Sequence, residues 1–162
     1  MPAYQCYYFA RLRITENFMP KISRSALVPF SAEQMYQLVN DVSSYPAFLP
    51  GCTGSRVISS TPDEMTAAVD VAKAGIRKTF TTRNTLTNNQ NINMQLVDGP
   101  FRQLSGDWHF TPLSADACKV ELDLDFEFTN VLIELAFGKV FKELAGNMVQ
   151  AFTQRAKEVY SA

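Results

Sequence analysis

The clearest pattern in the chain is a strict alternation of apolar and charged residues over positions 119–128. This alternation predicts a strand with one buried face and one solvated face. A helical pattern follows directly, from Val131 to Tyr160, with its apolar residues on one side. A sheet that is solvated on one face must bury the other against a second element, and this helix is the next one in the chain. The C-terminal half therefore predicts a sheet packed against a long helix.

Shorter patterns upstream predict a meander of strands and two small helices. Ile22 to Val28 alternates as a first strand, and Ser31 with Gln34 forms a capping box that opens a helix. Asp41 can cap a second short helical turn, which is predicted to break at Tyr45-Pro46. The predicted fold is α+β, a helix-grip arrangement in which a curved antiparallel sheet of about six or seven strands wraps around the C-terminal helix. The further strands are predicted at 56–59, 65–71, 80–86, 92–96 and around Trp108 and Phe110.

Composition narrows the class of protein. The chain has 162 residues, of which 46% are hydrophobic and 19% charged, so it can bury a sizeable core as one domain. A formal net charge of −1 gives no general attraction to nucleic acid, and no DNA partner is expected. The three cysteines are too far apart for a zinc site or a redox pair, which is typical of reduced thiols in a cytosolic protein.

The first residues differ from the rest of the chain. Residues 1–18 show no clear period, and Arg11 and Arg13 interrupt any apolar core of a secretory signal. Met19-Pro20 then opens a segment that continues without a linker or repeat to the end. We therefore predict a leader over 1–18, outside the true start, and a single domain over 19–162.

Three separated segments closely resemble the coenzyme-Q-binding START-like family. They are residues 38–52, LVNDVSSYPAFLPGC, residues 98–108, DGPFRQLSGDW, and residues 148–156, MVQAFTQRA. Residues 66–71 and 74–83 follow the pattern of the bacterial ribosome-association toxins within that family. The resemblance implies a START-like helix-grip domain without catalytic activity or a cofactor.

Two functions follow from this resemblance. The first is binding of a polyprenylated quinone such as ubiquinone in support of respiration, by a bacterial cytoplasmic protein in transient contact with the inner membrane. The alternative is a toxin that binds the large ribosomal subunit, blocks subunit association and so inhibits the initiation of translation. The family alone does not decide between them.

The residues themselves fit either a packed core or a ligand cavity between the sheet and the helix. The segment from Tyr45 to Pro50 can form a stiff lip over a cavity mouth, or end the helices with Phe48 and Leu49 plugged into the core. Gly138 and Gly146 each cost about 1 kcal/mol inside a helix, so a close approach, a bend or space for a ligand should compensate. The predicted ligand-binding residues are Tyr45, Pro46, Phe48, Leu49, Phe80, Thr82, Asn84, Phe101, Trp108, Phe110, Phe126, Phe128, Phe137, Phe141, Leu144 and Met148.

Among these residues, Thr82 and Asn84 are the candidates to recognise a polar headgroup, provided that they share a face with Phe80 and Leu86. Their alternative is a position near a sheet edge, bonded to water. An isoprenoid tail would bind through the apolar walls, because each Å² of apolar surface removed from water contributes about 25 cal/mol.

Catalysis finds no support in the sequence. The single histidine, His109, lies between Trp108 and Phe110, so alternation puts it on the solvated face. The carboxylates of positions 121, 123, 125 and 127 fall on the same solvated side of their strand. No acid or base is predicted in the cavity, and we predict that the protein is not an enzyme.

A ribosome contact would need basic residues that meet RNA phosphates. Four cations lie close together in the chain around one predicted strand connection. They could neutralise several phosphates, or they could solvate a turn. The predicted ribosome-contact residues are Lys73, Arg77, Lys78 and Arg83.

Overall fold

The computed structural model describes residues 21–161, so the predicted leader and start at Met19 lie outside the described residues. Seven antiparallel strands form one sheet, in the spatial order first, seventh, sixth, fifth, fourth, third, second. The strands are β1 (Lys21–Val28), β2 (Cys52–Ser60), β3 (Glu64–Lys73), β4 (Ile76–Thr87), β5 (Asn91–Asp98), β6 (Phe101–Ser114) and β7 (Ala117–Phe128).

Two short helical elements connect β1 to β2. Helix α1 (Ala32–Asn40) begins with the predicted capping box, in which the Gln34 amide donates to Ser31 Oγ and the Ser31 amide donates to Gln34 Oε1. A 3₁₀ helix (Val42–Ala47) follows. The predicted break at Tyr45-Pro46 is wrong, because Pro46 lies inside this helix.

The 3₁₀ helix tolerates Pro46 because the proline removes only one backbone donor from a short element. The carbonyl oxygen of Tyr45 is still satisfied, since the amides of Phe48 and Leu49 both donate to it, at 3.3 and 2.9 Å. The chain can therefore turn towards β2 without leaving that carbonyl unpaired.

The long helix α2 (Val131–Tyr160) lies against the concave face of the sheet, and the helix-grip prediction is confirmed. The apolar residues of β7 are buried on this face, while the charged residues between them face solvent. Within residues 21–161 no helix combines the length and the hydropathy needed to cross a bilayer.

The two glycines of α2 allow close approach of other groups. A Cβ on Gly138 would lie 3.4 Å from the Phe128 ring, and one on Gly146 would lie 3.4 Å from the guanidinium of Arg24. Both contacts come from the sheet side, β7 and β1. Of the three compensations expected for these glycines, the structure shows close approach.

Candidate functional site

Five phenylalanine rings fill one end of the space between the sheet and α2. Phe141 is their centre, with its ring centroid 4.8 Å from those of both Phe101 and Phe126. All five side chains are buried, and most neighbouring pairs meet edge to face, the geometry that aromatic pairs prefer. We call this group the aromatic layer; its members are Phe101, Phe126, Phe128, Phe137 and Phe141.

Beside the aromatic layer lies a mainly apolar cavity of about 60 Å³. Small side chains leave part of this space open, since Ala67 of β3 and Ala145 of α2 contribute only methyl groups to the wall. Gly106 has no side chain at all, and a Cβ there would collide with Leu124 and Met94, which line the cavity in its place. The wall consists of Val42, Tyr45, Leu49, Ala67, Val69, Phe80, Thr82, Asn84, Met94, Leu104, Trp108, Leu124, Phe141, Leu144, Ala145 and Met148.

Two polar side chains are buried in this apolar wall. Thr82 and Asn84 are consecutive inward-facing residues of β4, and each is more than nine-tenths buried. The Thr82 hydroxyl donates to Asn84 Oδ1 at 2.8 Å, which satisfies the amide oxygen and leaves the Asn84 nitrogen as a donor for another group. The pair is the polar feature by which this cavity can recognise a ligand.

Tyr45 is the third polar residue of the wall, but its hydroxyl is already engaged. It donates to the main-chain oxygen of Val39, and burial, the largest cause, raises the pKa of the phenol above its usual range. Tyr45 is also the one titratable side chain among the described residues that line the cavity. The described wall therefore offers apolar surface and hydrogen-bonding groups, and none of its residues is poised to transfer a proton.

The candidate acids and bases lie on the other side of the sheet. His109 is exposed, with Nδ1 3.4 Å from the side-chain nitrogen of Asn91. On β7, Asp125 pairs with Lys21 and Glu121 with Lys119 on the solvated face.

The thiols of Cys52 and Cys118 are free and buried, and burial raises the pKa of both.

The structure sorts the predicted ligand residues into two groups. Those that line the cavity are Tyr45, Leu49, Phe80, Thr82, Asn84, Trp108, Phe141, Leu144 and Met148. Those that lie away from it are Pro46, Phe48, Phe101, Phe110, Phe126, Phe128 and Phe137. Four members of the second group belong to the aromatic layer, whose rings pack on one another.

The remaining three lie away from the cavity for separate reasons. Pro46 is exposed on the 3₁₀ helix. Phe48 packs outside the wall against Phe152, with the Arg155 guanidinium 5.2 Å from its ring centroid. Phe110 stacks beyond Trp108. The segment from Tyr45 to Leu49 is thus part of the core and also, through its first and last residues, a wall of the cavity.

Sequence reasoning missed several wall residues. Alternation already placed Val69 on the inner face of β3 and Leu124 on that of β7, so a signal for these two existed. The same alternation includes Ala67, but it gives a face only, because an alanine in a cavity wall and an alanine in a packed core look alike in sequence. The missed residues are Val42, Ala67, Val69, Met94, Leu104, Leu124 and Ala145.

The four predicted ribosome-contact residues do not form one surface. Lys78 pairs with the buried Val71 on the concave side of the sheet, while Arg77, its neighbour, pairs with Ala72 on the convex side. Lys73 is tied to α2, with Nζ 2.6 Å from Glu143 Oε2. The expected cluster is therefore divided by strand alternation.

Arginines collect instead on the convex face of β2 to β4. Arg56, Arg77 and Arg83 lie on this face, and we call them the convex basic region. Two carboxylates moderate its charge: Asp70 accepts from Arg56 at 3.2 Å, and Glu64 lies 3.4 Å from Arg83. The Thr79 hydroxyl, followed by Arg56, holds the pKa of Asp70 below its usual value.

Comparison with known proteins places this geometry in a family. Residues 28–153 match the family described as polyketide cyclase / dehydrase and lipid transport. The chain is 75% identical to the persistence and stress-resistance toxin PasT of Escherichia coli O6:H1 and 74% identical to the ribosome association toxin RatA of E. coli K12. Each match spans 154 residues, 95% of this chain and 98% of the relative.

More distant relatives share the fold and differ in their named roles. The chain is 30% identical over 142 residues to the mitochondrial coenzyme Q-binding protein COQ10 homolog B of Xenopus laevis, which covers 85% of this chain and 58% of that protein. The Zhui aromatase/cyclase of Streptomyces sp. R1128 superposes with a TM-score of 0.64 at 22% identity, over 85% of this chain and 86% of that one. That likeness shows the fold alone.

Proposed function

The chain belongs to the polyketide cyclase / dehydrase and lipid transport family, and from this premise we propose that it is a non-enzymatic protein that binds an apolar ligand between the sheet and α2. The proposed ligand is a polyprenylated quinone such as ubiquinone, bound in support of respiration. The observation that carries the proposal is the apolar cavity with the buried Thr82–Asn84 pair in its wall. The name of the COQ10 relative supports the same ligand class.

The chemistry of the wall fits a carbonyl headgroup on an apolar tail. A quinone offers carbonyl acceptors, and the Asn84 nitrogen is a donor at the wall. A cavity of about 60 Å³ is too small for the whole molecule, since pockets for drug-sized ligands hold roughly 300–1,000 Å³. Binding must therefore enlarge it, and Met94 and Met148 are wall residues with the flexible side chains that such repacking needs.

The first test is solvent extraction of the protein, purified without detergent from a quinone-replete bacterium, followed by mass spectrometry. A stoichiometric quinone is the expected result. A protein without quinone, which also fails to take up quinone added in vitro, would show that the cavity is only a packing gap.

The Thr82–Asn84 pair gives a sharper prediction. We expect the double variant Thr82→Val, Asn84→Leu to bind quinone about 10- to 100-fold more weakly, because a buried headgroup loses a donor worth about 1–3 kcal/mol. Its free energy of unfolding should change little, because both partners of the hydrogen bond are replaced by apolar groups. Quinone titration followed by tryptophan fluorescence measures the first effect, since Trp108 lines the cavity.

The matched control for that variant is Thr79→Val, on the convex face of the same strand. It removes a hydroxyl that donates to Asp70 at 2.6 Å and lies outside the cavity wall. Quinone affinity should be unchanged in this control. Equal affinities for wild type and the double variant would remove the pair from headgroup recognition.

A second candidate function is association with the ribosome, and the observation that favours it is the 74% identity to RatA over nearly the whole chain. We propose that the protein binds the large ribosomal subunit and hinders subunit association, as a cytoplasmic toxin. Overproduction should then arrest growth and raise the proportion of free subunits in sucrose gradients. An unchanged subunit profile during growth arrest would refute this mechanism.

The two functions can coexist in one chain. The cavity lies on the concave side of the sheet and the convex basic region on the other, so ligand and ribosome would not compete for the same residues. An enzymatic role on the model of the aromatase/cyclase has less support here, because the described cavity wall offers Tyr45 alone as a titratable group. Transient contact with the inner membrane is part of the quinone proposal.

A further inference from the structure

The first two turns of α2 carry an apolar patch that the core does not cover. Val131 is 61% exposed, and Leu132 and Leu135 are each 77% exposed. We call these three residues the apical patch. Asn130 fixes the start of the helix, because its side-chain oxygen accepts from the Ile133 amide at 2.9 Å. A group of large apolar side chains held in water at a helix end is typical of a surface that meets an apolar partner.

Lysines continue the same side of the helix. Residues 132, 135, 139 and 142 recur at spacings of three and four, so they form one stripe on the outer side of α2. Lys139 and Lys142 are exposed and take part in none of the ion pairs among residues 21–161. Glu134, exposed in the first turn, is the acidic residue nearest to the apical patch in sequence.

If the start of α2 meets a bilayer end-on, the spacing along the helix places the lysines close to the headgroup layer. With a rise of 1.5 Å per residue, Lys139 lies about 6–10 Å behind the two leucines along the helix axis, and Lys142 about 10–15 Å. The polar layer on each side of a bilayer is about 5–8 Å thick. Leucines that reach the acyl boundary would therefore hold the lysines at or just above the headgroups.

The apical patch also lies at the end of α2 that packs against the aromatic layer. Phe137, two residues beyond the patch, and Phe141 belong to the aromatic layer, and Phe141 is at the same time part of the cavity wall. The turn between β5 and β6 lies at this end too, since the Thr129 amide donates to the Pro100 carbonyl oxygen at 3.2 Å. The aromatic layer therefore lies between the apical patch and the cavity.

We propose that the apical patch, with Lys139 and Lys142, docks this protein onto an anionic lipid bilayer, with the leucines at the acyl boundary and the lysines at or just above the headgroups. This inference rests on the proposed quinone function and identifies the surface through which an apolar ligand is exchanged. Two leucines and a valine offer nothing to RNA phosphates, so a lipid surface fits the patch better than ribosomal RNA does.

The test is flotation of the full chain with vesicles of phosphatidylglycerol and phosphatidylethanolamine, compared with neutral phosphatidylcholine vesicles. Wild type should bind the anionic vesicles. The variant Leu132→Gln, Leu135→Gln should bind them at least about 10-fold more weakly, because both leucines lose their apolar contact with the acyl boundary. Lys139→Glu, Lys142→Glu should lose a comparable factor, and added salt should reduce the difference from wild type.

The matched control is Leu27→Gln, Leu113→Gln, which changes two exposed leucines of β1 and β6 and should leave flotation unchanged. Wild type that ignores anionic vesicles, or a Leu132→Gln, Leu135→Gln variant that floats like wild type, overturns the docking surface. A Leu132→Gln, Leu135→Gln variant that keeps vesicle binding but no longer sediments with ribosomal subunits also overturns it, because the apical patch would then contact the ribosome. Extraction of the same preparations separates the two proposals: wild type that floats but neither carries quinone nor takes up quinone added in vitro supports the docking surface and rejects the quinone.

Discussion

Replacing Trp108 by alanine is expected to lower the free energy of unfolding by about 3–5 kcal/mol, the largest loss expected for a single side chain of this protein. The indole is 1% exposed and packs 5.5 Å from the Phe152 ring centroid and 6.2 Å from that of Phe110. Phe152 belongs to α2, so the substitution removes a contact between sheet and helix as well as a large apolar volume.

The loss is large relative to the whole, because domains of this size are stable by about 5–15 kcal/mol. Urea unfolding followed by far-ultraviolet circular dichroism measures it, with Leu113→Ala as the control, since that leucine is an exposed residue of the same strand. The control should change stability by less than about 0.5 kcal/mol. If Trp108→Ala lowers the free energy of unfolding by no more than about 1 kcal/mol, the neighbouring side chains relax into the space that the indole leaves. The packing around Trp108 would then be less rigid than the structure indicates.

The conservative variant Trp108→Phe allows quinone binding to be measured with a smaller loss of stability. It retains an aromatic ring between Phe110 and Phe152, so a smaller loss of about 1–2 kcal/mol is expected. The space released adjoins a cavity of about 60 Å³, and a larger cavity needs less repacking to admit a ligand. Equal or tighter quinone binding is therefore expected in this variant, measured by extraction because the fluorescent indole is lost.

Local signals explain which parts of the fold the sequence predicts well. The alternation in β7 and the capping box of Ser31 and Gln34 are each complete within a few residues, so both can be read without knowledge of distant contacts. The start of β2 at Cys52 could not be read in this way. Its first residues contain Gly54 and a shift in register against β3, and a Cβ on Gly54 would lie 2.6 Å from Asp70 Oδ2.

Distant contacts explain why the cavity wall was only partly predictable. Phe80 and Phe128 both alternate onto the concave face, yet only Phe80 lines the cavity. Phe128 belongs to the aromatic layer instead, because the position of each strand along α2 decides which rings reach the cavity. The alternation of residues along a strand identifies the face on which a side chain lies, but not its position along α2. The same limit applies to the cations, where closeness in sequence suggested one cluster and alternation divided Arg77 from Lys78.

The placement of Arg77 and Lys78 on opposite faces of the sheet allows the strongest test of the ribosome proposal. The variant Arg77→Glu, Arg83→Glu reverses two charges of the convex basic region and is expected to weaken binding to the large subunit about 100-fold at physiological salt, roughly 10-fold for each lost phosphate contact. The slope of log affinity against log salt should become shallower by about 1.5–2, because two fewer counterions are released. Sedimentation with purified subunits over a range of salt concentrations measures both quantities.

The control for this variant is Lys78→Glu, Lys157→Glu, which makes the same change in net charge away from the convex face. Lys78 lies on the concave side of the same hairpin, and Lys157 is exposed in the last turn of α2. If the convex basic region is the contact, the control keeps the affinity within about 3-fold and the salt slope of wild type, because only unspecific attraction is reduced. Equal losses in the two variants would mean that net charge, and not this face of the sheet, governs ribosome binding.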